Sequence, residues 1–167
     1  MKIDLRSGVD GKVGTLKGAS ERPFPYLIEI SAIGHATESI KKVKRAILNV
    51  LPEKERGKIS LSVQELRGHH GNPIFVAKAN LKDPNLNKTL LERLAKELPE
   101  EEKGMLANEV GTYVDKNCNL YLRLDKQAAF TGKIRVKQED PIRICAKFKG
   151  RGRKELLEAI QRMLREK

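Results

Sequence analysis

Three short runs in the last third of the chain decide the predicted fold: Leu120-Tyr121-Leu122-Arg123-Leu124, Lys133-Ile134-Arg135-Val136-Lys137 and Ile142-Arg143-Ile144-Cys145-Ala146-Lys147-Phe148-Lys149. Apolar and polar residues alternate in each run. Because successive side chains leave a strand on opposite faces, this alternation predicts three half-buried β-strands. The apolar positions share one face, which is the predicted core side: Leu120, Leu122, Leu124, Ile134, Val136, Ile142, Ile144, Ala146 and Phe148.

The opposite face of these predicted strands carries cations and no acidic residue. Its members are Tyr121, Arg123, Lys133, Arg135, Lys137, Arg143, Cys145, Lys147 and Lys149. One interpretation is an ordinary solvated face, since long basic side chains cover apolar surface and protect sheet edges. The other is an anion-binding surface, because like charges on neighbouring strands destabilise a sheet unless an anionic partner offsets them. We predict the second, and add Arg151 and Arg153 from the turn that follows.

The charge balance favours a nucleic-acid partner. The 167-residue chain has a formal net charge of +12, and residues 115–167 hold 15 Lys and Arg against 7 Asp and Glu. Such a basic stretch points to a polyanion, with nucleic acid favoured over a membrane surface. No apolar run approaches the roughly 20 residues that span a bilayer. The first residues lack the apolar segment of a secretory signal, so we expect a cytoplasmic protein.

The remaining segments predict an α+β fold in a two-layer sandwich, with a mostly antiparallel sheet and helices packed on one face. Residues 1–22 are polar and glycine-rich and are expected to form a flexible N-terminal arm, followed by a single domain over residues 23–167. The predicted elements are a strand at 26–33, a helix capped by Thr37 and ending near Val50, a hairpin of strands at 59–66 and 74–81, helices after Asp83 and Pro99, the three runs above, and a last helix after Gly152. The predicted order is β-α-β-β-α-α-β-β-β-α.

The first predicted helix carries a second basic cluster on its exposed side: Lys41, Lys42, Lys44 and Arg45. A cluster of this kind is usually a solvated helix face, and we treat it as a secondary basic patch. Cys118 and Cys145 are the only cysteines, and two distant cysteines in a cytosolic protein are expected to remain unlinked thiols.

No catalytic or metal-binding pattern is present. His35, His69 and His70 all fall in predicted loops, and no carboxylate stands at a ligand-like spacing from them. Whether the three histidines converge is left open by the sequence. Hydrolase and metalloprotease motifs are missing, and Asp125-Lys126-Gln127 is interpreted as a structural turn. We therefore expect a protein without catalytic activity, metal or cofactor.

Three segments together carry a family resemblance: His35-Ala36-Thr37-Glu38, Gly68-His69-His70-Gly71-Asn72-Pro73, and the run from Leu120 through Asp125-Lys126-Gln127-Ala128-Ala129-Phe130. Their order and spacing resemble the archaeal family of predicted RNA-binding proteins, also described as predicted exosome subunits. The resemblance covers roughly residues 24–150. It implies a fold like that of the large-subunit ribosomal protein that holds five-S RNA, which is an antiparallel sheet backed by helices.

The sequence thus predicts a protein that grips structured RNA mainly by its phosphates, with a role in RNA processing or degradation. One exposed aromatic residue, Tyr121, is too few for an aromatic platform that reads single strands. The alternative is a protein-interaction subunit of an exosome-like assembly, which would use the basic face or the acidic helical pair. A nuclease is the weakest of the three predictions.

Overall fold

Five strands form a single antiparallel sheet in the computed structural model, which describes residues 24–166. The strands are β1 (Leu27–Gly34), β2 (Ser62–Arg67), β3 (Pro73–Leu81), β4 (Asn119–Leu124) and β5 (Ile142–Lys147). Their order across the sheet is β2-β3-β1-β5-β4, and every neighbouring pair is antiparallel. The predicted arm of residues 1–22 lies outside the described residues.

Helices cover one face of this sheet. They are α1 (Ile40–Val50), α2 (Pro84–Glu97), α3 (Glu100–Asn108), α4 (Val110–Tyr113), α5 (Lys126–Phe130) and α6 (Arg153–Arg165), with a 3-10 helix at Glu53–Lys58. The α+β prediction, with an antiparallel sheet and a helical layer, is confirmed. No helix within residues 24–166 has both the length and the apolarity needed to cross a bilayer.

The core lies between the sheet and the helices, and the alternating burial of the central strand β1 accounts for this position. In β1, every second residue from Ile28 onward is buried, as a strand with one dry face requires. Ile30 is fully buried and lies between Ala79 of β3 and Ile144 of β5. Burying such a side chain contributes about 1.5–3 kcal/mol, so the apolar alternation determines which face of each strand meets the helices.

Of the three alternating runs in the sequence, the first and third form strands, but the second does not. Residues 133–137 form only one isolated bridge, between Val136 and Leu124. The chain leaves β4 through the short helix α5, and the Val136 amide donates to a carboxylate oxygen of Glu102 at 2.8 Å instead of extending a ladder. The apolar assignment still holds, since Ile134 is buried and Val136 packs against the core. The observed order is therefore β-α-β-β-α-α-α-β-α-β-α.

Two predicted boundaries were also wrong. The cap of α1 is Ser39, whose hydroxyl accepts the Lys42 amide, rather than Thr37. Glu38 is not available to the helix start because its carboxylate binds the backbone N–H of His35 and the ammonium of Lys126. The second strand begins at Ser62 rather than residue 59, and residues 59–61 connect it to the 3-10 helix that ends at Lys58.

The edge position of β2 explains a further difference. Val63 is on the inward face of β2, opposite the buried Ala77, but 41% of Val63 is exposed. The predicted hairpin of β2 and β3 is confirmed, as is the helix capped by Asp83, whose carboxylate accepts the Asn85 amide at 3.0 Å. Cys118 and Cys145 are unlinked, as predicted.

Candidate nucleic-acid interface

The open face of the sheet, on which no helix of residues 24–166 packs, carries a row of cations set by strand register. In this row Lys78 of β3 pairs with Ser31 of β1, Ser31 pairs with Arg143 of β5, and Arg143 pairs with Arg123 of β4. We call Lys78, Arg143 and Arg123 the cationic row. Adjacent strands are about 4.8 Å apart, so the row crosses about 14 Å of the sheet.

The three side chains of the cationic row have no partner among the residues that the structure describes. All three are exposed, and within residues 24–166 none of them forms an ion pair or a side-chain hydrogen bond. Arg123 and Arg143 stand directly opposite one another, an arrangement that destabilises a sheet by a few tenths of a kcal/mol up to about 1 kcal/mol. Their guanidinium groups are therefore free to bind an anion.

A mixed row of polar groups lies beside the cationic row. It contains Asn80, Glu29, Cys145 and Tyr121, again in cross-strand register. Glu29 forms an ion pair with Lys147 at 3.2 Å, and this hydrogen bond raises the pKa of the lysine. Burial raises the pKa of the Cys145 thiol, and the charge of Glu29 adds to the effect. The thiol is therefore not a reactive thiolate.

Tyr121 presents an aromatic ring that is held in place at its tip. Its hydroxyl donates to Oδ2 of Asp115 at 3.1 Å, and 47% of the residue is exposed. Asp115 also accepts the backbone amides of Asn117 and Asn119, both at 2.9 Å. The Asn119 bond is the main reason that the pKa of Asp115 lies below its ordinary value, whereas burial and the Asp115 contact raise the pKa of Tyr121. The ring is therefore fixed by an ionised carboxylate.

These two rows enclose a shallow depression of about 310 Å³ on the open face. Its lining contains Ser31 and Cys145, the two small side chains of the central strands. Around them are Lys78, Asn80, Glu29, Tyr121, Arg123 and Arg143. The depression combines an aromatic ring, three cations, one carboxylate and one amide within a single surface feature.

Several residues predicted for the RNA surface are engaged elsewhere. Arg135 donates to Glu102 of α3 at 2.8 Å, and this hydrogen bond raises the pKa of the guanidinium. Arg153 donates to the carbonyl oxygens of Gly111 and Val114, both at 2.9 Å. Arg153 thus fastens the start of α6 to the end of α4. The predicted cations do not form one continuous plate.

The other predicted cations lie outside the five strands, in the connections that follow α5 and β5. Lys133 and Lys137 are exposed on the connection after α5, where the Lys137 amide donates to the Arg123 carbonyl at 3.0 Å. Lys149 lies over the Tyr26 ring, 4.9 Å from its centroid. Arg151 is half-buried in the turn before α6.

Sequence reasoning missed Lys78, Asn80 and Glu29. The signal was available, because Lys78 and Asn80 alternate with buried alanines in β3, and Glu29 alternates with isoleucines in β1. What could not be predicted was the order of the strands. That order places β1 next to β5 and β3 on the other side of β1.

The secondary basic patch on α1 lies on the helical side of the molecule. Val43, Ala46 and Ile47 of α1 are buried toward the sheet, whereas Lys41, Lys42 and Arg45 are exposed. Lys44 is half-buried. Lys42 lies over the ring of Phe130, 5.8 Å from the centroid. The patch is therefore separated from the cationic row by the whole thickness of the sandwich.

A second polar cluster surrounds Lys126, which was predicted to be part of a simple turn. Only 6% of Lys126 is exposed, and its ammonium donates to the Ile33 carbonyl at 2.7 Å and to Glu38 at 3.0 and 3.2 Å. It also lies 2.9 Å from Asp140, whose other oxygen is 3.1 Å from Nε2 of His35. Burial opposes ionisation of Asp140, but the contacts with Lys126 and His35 outweigh it and lower the pKa.

His35, Glu38 and Asp140 are the one group within residues 24–166 that has the spacing of a metal site. Both carboxylates already bind the Lys126 ammonium, which supplies the positive charge that a metal ion would otherwise bring. His69 and His70 belong to the β2–β3 turn, where their rings meet edge to face at 4.7 Å. The arrangement around Lys126 is that of a structural ion cluster.

Known proteins match most of the described part of this chain. A family model described as RNA binding matches residues 27–148. The chain is 34% identical over 141 residues to the RNA-binding protein PAB1135 of Pyrococcus abyssi, covering 83% of this chain and 90% of that protein. It is 35% identical over 126 residues to an uncharacterized protein of Methanocaldococcus jannaschii, covering 73% and 83% respectively.

Solved structures of archaeal proteins have the same fold. Protein Mth689 of Methanothermobacter thermautotrophicus superposes with a TM-score of 0.67 at 27% identity, over 84% of this chain and 98% of that one. Protein AF2318 of Archaeoglobus fulgidus superposes with a TM-score of 0.71 at 24% identity, over 83% and 99%. The archaeal resemblance predicted from the sequence is thereby confirmed.

Proposed function

The chain belongs to the RNA-binding family, and on that premise we propose that it binds RNA, without catalysis, through the open face of its sheet. The observation that carries the proposal is the cationic row of Lys78, Arg143 and Arg123. These side chains are exposed, aligned by strand register and without acidic partners in the described part of the chain. A rigid sheet holds them at fixed spacing, so binding would not require them to be ordered.

The side chains of the cationic row are best suited to binding the phosphates of RNA. Guanidinium groups bind phosphate oxygens through two parallel hydrogen bonds, and two of the three cations in the row are arginines. Each phosphate that is neutralised releases condensed counterions, which gives a slope of about −0.7 to −0.9 per contact in log K against log salt. Three contacts would give a slope of about −2 to −3.

The partner in this proposal is RNA, in the cytoplasm, and the protein acts in RNA processing or degradation. An alternative is a subunit that docks on other processing proteins through its basic face or through its acidic helices. The geometry gives the acidic helices less support, because Glu102 binds Arg135 and Val136, and Glu100 binds Lys103. Nuclease treatment separates the two, since partners that bind through RNA are lost and direct protein partners are retained.

The test is a salt titration of RNA binding with the double substitution Arg123→Gln and Arg143→Gln. We expect weaker binding of a structured RNA and a shallower slope of log K against log salt, by about 1.5 units. The matched control is Lys41→Gln with Arg45→Gln on α1, which removes the same charge from the opposite side of the molecule. If the control weakens binding as much as the sheet variant does, the open face is not the RNA surface.

A further inference from the structure

We infer that the depression on the open face is a subsite for one unpaired nucleotide, whose base stacks on Tyr121 and is recognised at its edge by Glu29. This inference rests on the proposed function and names which part of an RNA the face would select. The phosphate of the same nucleotide would lie at Arg123 and Arg143. The partner is therefore an RNA with an unpaired base, such as a loop or a bulge, rather than an uninterrupted duplex.

The Tyr121 ring is suited to stacking on a base. Among the strand positions that face the open side, Tyr121 is the only aromatic residue in the described part of the chain. Its hydroxyl is bound to Asp115, so the ring has a fixed tip and an exposed surface. A ring that is already ordered loses little conformational freedom when a base stacks on it, and stacking accepts any base.

The shape of the depression suits a single base. The central positions hold Ser31 and Cys145, and these small side chains leave the floor open beside the ring. The volume of about 310 Å³ stands at the lower end of the roughly 300–1,000 Å³ typical of small-molecule sites. A duplex is too wide to enter such a feature, whereas one unstacked base with its sugar and phosphate is of suitable size.

The position of Glu29 suits recognition of a base edge. A carboxylate weakens phosphate binding, so its presence in a cationic surface calls for another role. Its ion pair with Lys147 uses Oε1, and an ionised carboxylate can accept about four hydrogen bonds, so acceptor capacity remains. Carboxylates recognise the amino groups of bases, as with the N4 amino group of cytosine.

Recognition of this kind discriminates between bases. Uracil presents carbonyl oxygens where cytosine presents its amino group, and an oxygen of uracil facing Glu29 would be repelled. Asn80 stands next to Glu29 in the same row and can donate as well as accept. We therefore expect the subsite to prefer a base with an exocyclic amino group over uracil, while the cationic row attracts every RNA equally.

The experiment compares three RNAs with one common stem: a hairpin with a cytosine loop, a hairpin with a uracil loop, and the fully paired duplex. Dissociation constants are measured for wild type and for Tyr121→Ala, with Tyr121→Phe as the matched control. We expect Tyr121→Ala to weaken hairpin binding by about fivefold to a hundredfold. Its salt slope and its affinity for the duplex should stay unchanged, and Tyr121→Phe should retain most of the affinity.

Glu29→Gln tests the recognition step. If Glu29 accepts from the base, this substitution reduces the preference for the cytosine loop over the uracil loop. If it only repels phosphates, both hairpins and the duplex gain affinity equally, and recognition by Glu29 is refuted. Thermal unfolding of each variant checks that the fold is retained.

The outcomes also separate this inference from the proposed function. If Arg123→Gln with Arg143→Gln weakens binding and Tyr121→Ala does not, the sheet binds RNA but the nucleotide subsite is refuted. If neither variant changes binding to any of the three RNAs, both ideas fail together. Ultraviolet crosslinking of the bound hairpin, followed by mass spectrometry, should place the crosslink on the peptide that contains Tyr121. A crosslink confined to α1 would overturn the assignment.

Discussion

Replacing Lys126 with methionine should destabilise the folded protein by about 3 kcal/mol. Methionine keeps most of the buried stem and removes the ammonium, which leaves the Ile33 carbonyl and the two carboxylates without their donor. A hydrogen bond from a charged donor to the carbonyl is worth about 1.5–3 kcal/mol. Glu38 and Asp140 have 26% and 44% of their side chains exposed, so each ion pair adds only about 0.5–1 kcal/mol.

The chain offers a matched control in Lys103. Its side chain is 7% exposed, as is that of Lys126, but its ammonium contacts a single carboxylate, that of Glu100, which is itself 75% exposed. Lys103→Met removes the same charge from a site of the same burial and should cost less than about 1 kcal/mol.

Urea unfolding followed by circular dichroism measures both variants, with the slope of the free energy against urea checked for a common value. We expect the number and burial of the partners, and not the burial of the lysine itself, to determine the loss in unfolding free energy. Equal losses for Lys126→Met and Lys103→Met would refute it. A loss below 1 kcal/mol for Lys126→Met would show that the cluster is hydrated and contributes little.

Two further predictions concern charges on the same framework. The pKa of Asp140 lies below its ordinary value of 3.8, so its ionised form stabilises the fold above that pH and this contribution is lost as the pH falls through the folded-state pKa. Wild type should therefore be more stable than Asp140→Asn at pH 7, by less than about 1 kcal/mol after allowance for exposure, and urea titrations at successively lower pH should find this difference shrinking once the pH is below the ordinary value of 3.8; a gap that does not shrink with falling pH would contradict this. Arg123→Gln should raise the unfolding free energy at low salt by a few tenths of a kcal/mol, because it removes the charge opposite Arg143. That gain should shrink in 1 M salt, and a gain independent of salt would point to a cause other than repulsion.

The sequence predicted what depends on local periodicity. Alternation in β4 and β5 identified their buried faces correctly, because burial of every second residue is the condition for a strand with one dry side. The same reasoning failed for residues 133–137. The alternation there correctly predicts that Ile134 and Val136 face the core. It does not predict that the Val136 amide donates to Glu102, a residue of a different element.

The candidate site was less predictable because its composition depends on strand order. Arg123 and Arg143 came from the first and third of the three alternating runs and were predicted together, whereas Lys78 comes from a strand 45 residues before Arg123 in the chain. Arg135 and Arg153 looked equivalent to them in the sequence. In the structure one is paired with a carboxylate and the other with backbone carbonyls, and long-range contacts of this kind leave no local pattern.

The Lys126 cluster and the open face are linked through the same two strands. Lys126 binds the Ile33 carbonyl near the end of β1 and Asp140 just before β5. Those strands pair with each other, and the pairing of Ser31 with Arg143 lies close to the end that the cluster fastens. A slip of one residue in that register would turn Arg143 into the core. The two segments that carry the family resemblance at His35 and Lys126 therefore act as scaffold: they hold the register from which the cationic row is built.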